Sequence, residues 1–509
     1  MNKGTAKKRK PLRHTVLRHI RNSLISFLVL FIVLAVLFFV LTSSSGRDIT
    51  VPENPVFIRD EAGRALILHG VNEDNCVKAH HLPCNGREMV EKEAELGFNF
   101  VRHLTQWRSI EPRQGEYDED YLDALEERFD WYHEHGIRVM IDMHVDLYGP
   151  AVGGNGHPEW ATVSEGSRLP FDTGQMWWLN YISGAVVQAY GNFWDYEGEH
   201  AWLQDAYYRL WQKVAIRFRD HPAVLAYDLM NEPFDNLAPG DGFETEKLAP
   251  FYQRLVDAIR EVDPDTWIMY QPRILATDWG YGSYLPPLND PRDGESRLVY
   301  APHLYPFFSH EGSYDRLGLA RRHDIRMLYQ WSEERAGEVD EHRVPLLIGE
   351  FGMPGKPFSR EIIEFSANMA DAMGAGWTWW DNSVCEPENL LGRWCLFDRN
   401  FEETPTAHLL SRTYPRAVAG QPLAFGFDPE SADFFLEFES DPSIVGPTEI
   451  YLPARRHYPD GWEISSSDSE GRWRYSWDNE REVLLLWHDP GAPKHRVEIR
   501  RLDKPLARS

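Results

Sequence analysis

VLAYDLMNEP at residues 224–233 and VPLLIGEFG at residues 344–352 are apolar runs that each stop at a carboxylate, Glu232 in the first and Glu350 in the second. Runs of this length and composition, closed by Pro or Gly, read as buried strands rather than helices. Six more of the same kind are spread around them: LILHGVN (66–72), FNFVRHL (98–104), RVMIDMH (138–144), WIMYQPR (267–273), LVYAPHLYP (298–306) and GWTWWDN (376–382). Amphipathic, charge-rich stretches at 87–96, 119–135, 200–219, 246–262, 320–337 and 360–373 fill most of the intervals with helical spacing. Eight strands alternating with helices predict an α/β fold, a (β/α)8 TIM barrel over residues 50–415. A doubly wound sheet is the competing architecture, and the lack of a Gly-rich loop after the first run speaks against it.

Past residue 415 the texture changes to short alternating stretches such as DFFLEFES, TEIYLPARRHY and REVLLLWH. Residues 416–509 therefore read as a small antiparallel β domain, sandwich-like, whose expected role is packing against the barrel rather than sugar or lipid binding. At the other end, residues 1–23 carry eight Lys or Arg and no acid, and residues 24–41 read LISFLVLFIVLAVLFFVL. That apolar run is long enough to span a bilayer, so a transmembrane anchor over 24–42 is expected, with a basic cytoplasmic tail and the remainder of the chain outside. A cleaved signal peptide is the alternative, and it fits less well because the run is long and LTSSSG is a poor cleavage site.

Either reading exports the body of the protein, where its four cysteines meet oxidising conditions. Three connectivities are open to them; the short spacings favour Cys76–Cys84 and Cys385–Cys395, and a four-thiolate zinc site lacks its usual tight spacing. A formal net charge of −26 argues against a nucleic-acid partner. A composition with 42% hydrophobic and 26% charged residues excludes a disordered chain or a multi-span membrane protein.

The chemistry follows from where the carboxylates stand. Active sites of (β/α)8 barrels lie at the C-terminal ends of the strands, so Glu232 and Glu350 are placed to flank one bond. Glycosidic cleavage with retention needs such a pair, one group as acid and base and the other as nucleophile. NEP on the fourth strand and IGEFG on the seventh resemble the signature of glycoside hydrolase family 5, a retaining family of the (β/α)8 clan. Arg102 in FVRHL, His144 in IDMH, Asn231 beside Glu232, His303 and Tyr305 in APHLY and Trp380 in TWWD match its remaining positions, over roughly residues 55–400. The resemblance implies that Glu232 is the acid/base and Glu350 the nucleophile, with Arg102 and Tyr305 close to Glu350. It further implies that Asn231 contacts the sugar 2-hydroxyl and that Trp380 forms a stacking floor; the neighbouring Trp377 and Trp379 are equally available for that floor from the residues alone.

Physical reasoning assigns the same roles. Charge and hydrogen bonding from Arg102 and Tyr305 keep Glu350 ionised, whereas Glu232 needs a raised pKa to hold its proton. Asp142, His144 and Asp146 in DMHVD also admit a metal site, but a two-carboxylate hydrolysis needs no metal and no HExxH pattern is present, so neither metal nor cofactor is expected.

The connection after the third strand, about 147–199, is much longer than the median loop and strongly aromatic, with MWWLNYISGAVVQAYGNFWDY at 176–196. This segment, with VRHLTQWRSIEPRQGEYDEDYLDAL and DMHVDLYGPAVGGNGHPEW, looks like the endoglycoceramidase branch of family 5, which releases an intact glycan from ceramide. Trp177, Trp178, Tyr181, Tyr190, Phe193 and Trp194 then line a lipid cleft, form a satellite core under the loop, or do both. Val145 departs from that branch, standing where a polar residue is expected in DMHxD, and APHLYP and TWWDNSVCEPENL look nearer to members acting on β-glucans. The expectation is a retaining β-glycosidase whose substrate is a glycan or glycolipid. The alternatives are a membrane-anchored β-glucanase or β-glucosidase and, from another class, a non-catalytic carbohydrate-binding barrel, against which both glutamates speak.

Overall fold

The computed structural model describes residues 48–166, 177–234, 242–310, 318–353, 359–385 and 394–502. The expected cytoplasmic tail (1–23) and transmembrane anchor (24–42) lie outside these residues. Among the described residues no helix is long and apolar enough to cross a membrane.

All eight runs form strands of one parallel sheet: His69–Glu73, Phe100–Thr105, Arg138–Met143, Val224–Asp228, Trp267–Tyr270, Leu298–Tyr300, Leu347–Phe351 and Gly376–Trp379. The first strand pairs with both the second and the eighth, setting His69 opposite Trp377. The ring closes between the sixth and seventh through the bridges Tyr300–Leu346 and Leu304–Phe351. Several strands end before their apolar runs do. The fourth leaves the ladder at Asp228, and its continuation is held instead by Leu229 N–H to Met269 O and Asn231 N–H to Met143 O, between the third and fifth strands. That weave carries Glu232 over the barrel mouth.

The helices fall where periodicity places them. Glu119–Glu134 starts at Asp118, whose carboxylate accepts the Tyr121 N–H, and buries Tyr121, Leu122, Leu125 and Phe129 on one face. Each such side chain contributes about 1.5–3 kcal/mol of burial, so packing outweighs the cap's roughly 1 kcal/mol. The stretch expected at 246–262 opens with a wider π-turn, Glu244–Leu248, before regular helix Ala249–Arg260.

The C-terminal domain is a two-sheet antiparallel sandwich whose first strand is Tyr414–Val418, around a core that includes Phe425, Leu436, Ile450, Leu484 and Val497. It also recruits the start of the chain. The run 66–72 reads as one strand in sequence, but Ala65–Leu66 instead pairs antiparallel with Val418 and Ala417 as the edge of a sandwich sheet. Phe57 and Ile67 enter the sandwich core, while Ala417 packs with Ile58, Phe100 and Trp267 in the barrel floor. The sandwich is therefore a floor plate, far from the strand ends that carry the glutamates. On the opposite face, the disulfides Cys76–Cys84 and Cys385–Cys395 staple the loops after the adjacent first and eighth strands.

Candidate active site

At the C-terminal ends of the strands lies a cavity of about 520 Å³ whose lining includes Glu232, Tyr305, Glu350 and Trp380. Arg102, His144, Asn231 and His303 lie buried behind these four, each no more than 2% exposed. The sequence thus brings all eight expected residues to one place, in two tiers.

Arg102 organises the lower tier. Its guanidinium, fully buried, donates to Glu350 Oε1 at 2.6 Å, Asp142 at 2.8 Å, and Asp228, Asn72 and Asn231 at 2.9 Å each. Five acceptors for one planar fork leave it little freedom to turn, which fixes the carboxylates around it. Glu350 also receives the Tyr305 hydroxyl at 2.7 Å. Burial pushes its carboxyl up, but His303, Arg102, His144 and Lys78 outweigh burial and hold it below the ordinary glutamate range. These contacts favour the ionised form of Glu350. Two residues on, the bare Gly352 lets the eighth-strand end approach: a Cβ there would come within 2.4 Å of the Trp380 carbonyl.

Glu232 sits in a different field. Its backbone has a φ of 44°, in the left-handed region rare for a residue with a side chain, and its N–H is held by Gln271 at 3.0 Å. Burial raises its pKa, against His303 and with help from Glu350 and Asp146. His303 Nδ1 is 2.9 Å from Glu232 and 3.6 Å from Glu350; burial disfavours its cation, yet the two carboxylates raise it to about 9. Oxygens of both glutamates and a ring nitrogen of His303 all lie within 4.8 Å of one another. That closeness fits the roughly 5 Å separation of retaining glycosidases better than the wider spacing of inverting ones. One site thus holds a carboxyl with a depressed pKa beside one with a raised pKa.

The remaining expected residues stand in varied surroundings. Trp380 is half-buried in the cavity wall with His144 stacked beside it, centroids 5.7 Å apart, whereas Trp377 and Trp379 are core. Asn231 spends one amide hydrogen on Val145 O at 2.9 Å and its oxygen on Arg102, so only its second hydrogen is left for a sugar. Val145 is itself buried core, and its carbonyl, not its side chain, does the polar work. Asp142 and Asp146 pair with Arg102 and Lys78, and they also flank His144, whose Nδ1 lies 2.8 Å from Asp142 and Nε2 3.4 Å from Asp146.

Sequence reading missed the rest of the wall. Lys78 lies with its Nζ 4.1 Å above the Trp380 ring and 2.9 Å from Asp146, which in turn accepts from Asn155. The short loop closed by Cys76 and Cys84 brackets Lys78 and was the one available signal. Opposite, Trp178, Trp279 and Phe307 meet edge to face at 5.4–6.5 Å, with Ile274 and Leu275 completing that wall. Asp278 stands among them, pushed up to about 8 by burial and by Glu232. Of the aromatic insert, Tyr181, Tyr190, Phe193 and Trp194 pack in the core and Trp178 lines the cavity; the Trp177 side chain lies outside the described residues.

Residues 60–386 match the family model described as cellulase (glycosyl hydrolase family 5). The chain belongs to glycosyl hydrolase family 5. Residues 412–499 of this family 5 hydrolase match the glycoside hydrolase family 5 C-terminal domain. Endoglycoceramidase I of Rhodococcus hoagii is 29% identical over 437 residues, covering 82% of each chain. The solved endo-glycoceramidase II from Rhodococcus sp. in its ganglioside GM3 complex superposes with a TM-score of 0.80 at 35% identity, covering 88% of this chain and 100% of that one. The same enzyme solved as a lactosyl-enzyme intermediate superposes at 0.79, with 35% identity and the same coverage.

Proposed function

We propose that this family 5 hydrolase is an endoglycoceramidase-type enzyme that removes an intact glycan from ceramide by double displacement, with Glu350 as nucleophile and Glu232 as acid/base. The observation that carries this reading is the division of one cavity into a polar wall of Asn75, Lys78 and Asp146 and an apolar wall of Trp178, Trp279 and Phe307, with both glutamates lining it. A glycan and a lipid chain joined by one glycosidic bond have the same division. Glu350 attacks the anomeric carbon as the bond to the ceramide oxygen breaks, and Glu232 gives its proton to that oxygen. A water then attacks the same carbon, Glu232 takes a proton from it, and Glu350 is released. Burial, with Glu350 and Asp146 nearby, outweighs His303 and keeps Glu232 in a field that favours the protonated form before the first step, and Asn231 and Trp380 hold the sugar.

The anchor over 24–42 places this chemistry on the exocytoplasmic side of a membrane. The basic tail before it and the two disulfides after it support that placement. The test is to incubate the chain with fluorescent lactosylceramide, a soluble β-glucan and an aryl β-glucoside and to analyse the released products. Intact lactose with free ceramide is the expected outcome; turnover of the glucan with none of the glycolipid would overturn the assignment of substrate and keep the two-glutamate chemistry.

A further inference from the structure

Asp278 lines the cavity and takes no part in the two displacements. It belongs to the turn 274–280 that follows the fifth strand. Two backbone bonds pin this turn between the catalytic loops: Ile274 N–H donates to Pro233 O at 3.0 Å, one residue past the acid/base, and Tyr305 N–H donates to Asp278 O at 3.2 Å. Within the turn, Leu275 has a φ of 80°, and its N–H donates to Asp278 Oδ2 at 3.1 Å. That bond fixes the carboxyl and leaves Oδ1 without a hydrogen-bond partner among the described residues. Asp278 is only 7% exposed and borders the cavity, so its unused hydrogen-bonding capacity is open to a ligand there and hardly to bulk water. Of the turn's cavity-lining side chains, Ile274, Leu275 and Trp279 are apolar and Asp278 alone is polar. Burial and then Glu232 push its carboxyl up to about 8, so near neutral pH it carries a proton and offers both a donor and an acceptor. A buried polar group without a partner is costly, and a ligand that supplies the partner recovers that cost.

We infer that Asp278 reads the polar head of ceramide: its free oxygen accepts the amide N–H and its acid O–H donates to the oxygen of the 3-hydroxyl, which makes the enzyme select a sphingoid aglycone over a glycerol one. This inference rests on the glycolipid reading proposed above. Ceramide carries its amide on the carbon next to the one that bears the glycosidic oxygen, and its hydroxyl on the carbon after that. A group that meets them must therefore stand beside the acid that protonates that oxygen. Asp278 does, since Glu232 is the neighbouring charge that acts on it most. The hydrocarbon beyond the head is left to the rings of Trp178, Trp279 and Phe307. A diacylglycerol glycoside presents ester carbonyls at the same place and no N–H or O–H, so it leaves the acceptor of Asp278 unpaired. A site built around a polar group rejects the ligand that lacks its partner far more strongly than it rejects a change of chain length.

The experiment uses the full chain in detergent micelles and measures kcat/KM on lactosylceramide, its 3-deoxy and N-methyl-amide analogues, lactosyl diacylglycerol and an aryl lactoside. The wild-type chain is expected to lose about 10–100-fold on each altered lipid relative to lactosylceramide. Asp278→Ala is expected to erase these penalties, so that ceramide and its analogues react alike, while the aryl lactoside rate falls less than the ceramide rate. Asp278→Asn keeps an acceptor for the Leu275 N–H and turns only a donor toward the lipid, so it should keep the 3-deoxy penalty and lose the N-methyl one. A residue that merely holds the turn, or acts only through Glu232, would lower all the substrates together and leave the penalties in place. Equal wild-type rates on ceramide and its analogues, or penalties that persist in both variants, overturn the inference and leave the glycolipid reading standing. Turnover of a β-glucan without turnover of lactosylceramide overturns that reading, and this inference with it. If the alanine variant does not fold, the asparagine variant decides alone.

Discussion

On one side of the cavity, Lys78 and Asp146 are ion-paired at 2.9 Å and wedged against Trp380 and His144 before any substrate arrives; on the other, Trp178, Trp279 and Phe307 meet only ring edge to ring face. Burial opposes the charge on Asp146, yet Lys78 and His144 hold its carboxyl well below the ordinary range. A sugar that displaces those partners must replace their hydrogen bonds, which makes that wall discriminating. The apolar wall asks only for contact area, and one methylene more or less in such a pocket changes binding little. On the proposed glycolipid substrate, strict reading of the glycan and tolerance toward the lipid are the expected consequence of the two wall chemistries.

That contrast can be broken in steps. The largest effect belongs to the group both substrate halves share: Glu350→Ala is expected to lower kcat by at least about 10⁴-fold on lactosylceramide and aryl glucosides alike. Glu232→Ala should cost about 10²–10⁴-fold on lactosylceramide, while an aryl glycoside with an activated leaving group still shows a first-turnover burst, because its departure needs no proton. Stopped-flow release of the aryl group separates the two variants. On the polar wall, Lys78→Met should lower kcat/KM about 10–100-fold on every glycoside. On the apolar wall, Trp279→Ala should lower it about tenfold for ceramide substrates and leave a short aryl lactoside nearly unchanged. Similar losses on both substrates would erase the distinction between the walls.

The smallest effect sharpens the electrostatics. Activity needs Glu350 ionised and Glu232 protonated, so kcat/KM falls as pH drops through the depressed pKa of Glu350 and falls again as pH rises through the raised pKa of Glu232. Glu232 and, more weakly, Glu350 raise Asp278, and like charges act on one another, so Asp278→Asn should move the alkaline limb down by a fraction of a pH unit and the acid limb by less. A pH profile of kcat/KM on an aryl glucoside measures both limbs.

The strands and the two glutamates were legible because both are local: a buried strand needs a continuous apolar run, and a strand end needs the residue that follows it. Arg102 was legible for the same reason, as a lone cation inside FVRHL. Lys78, Trp279 and Asp278 were not, since each sits on a loop whose approach to the cavity is decided by tertiary folding. The aromatic insert does both things its sequence allows. A segment from 147 to 199 must bury its own backbone, and Tyr181, Tyr190, Phe193 and Trp194 supply that core, so only Trp178 of the described group faces the cavity. The first apolar run hid a second boundary as well, because nothing in LILHGVN signals that Leu66 pairs with Ala417.

That last pairing sets an order of events. Leu66 waits for a partner some 350 residues later in the chain, and the barrel floor is complete only once Ala417 packs against Ile58 and Phe100. Contacts of such sequence separation slow folding. The catalytic barrel cannot be sealed while the ribosome is still adding the sandwich, so the site at its mouth is finished from below, by the last part of the chain to be made.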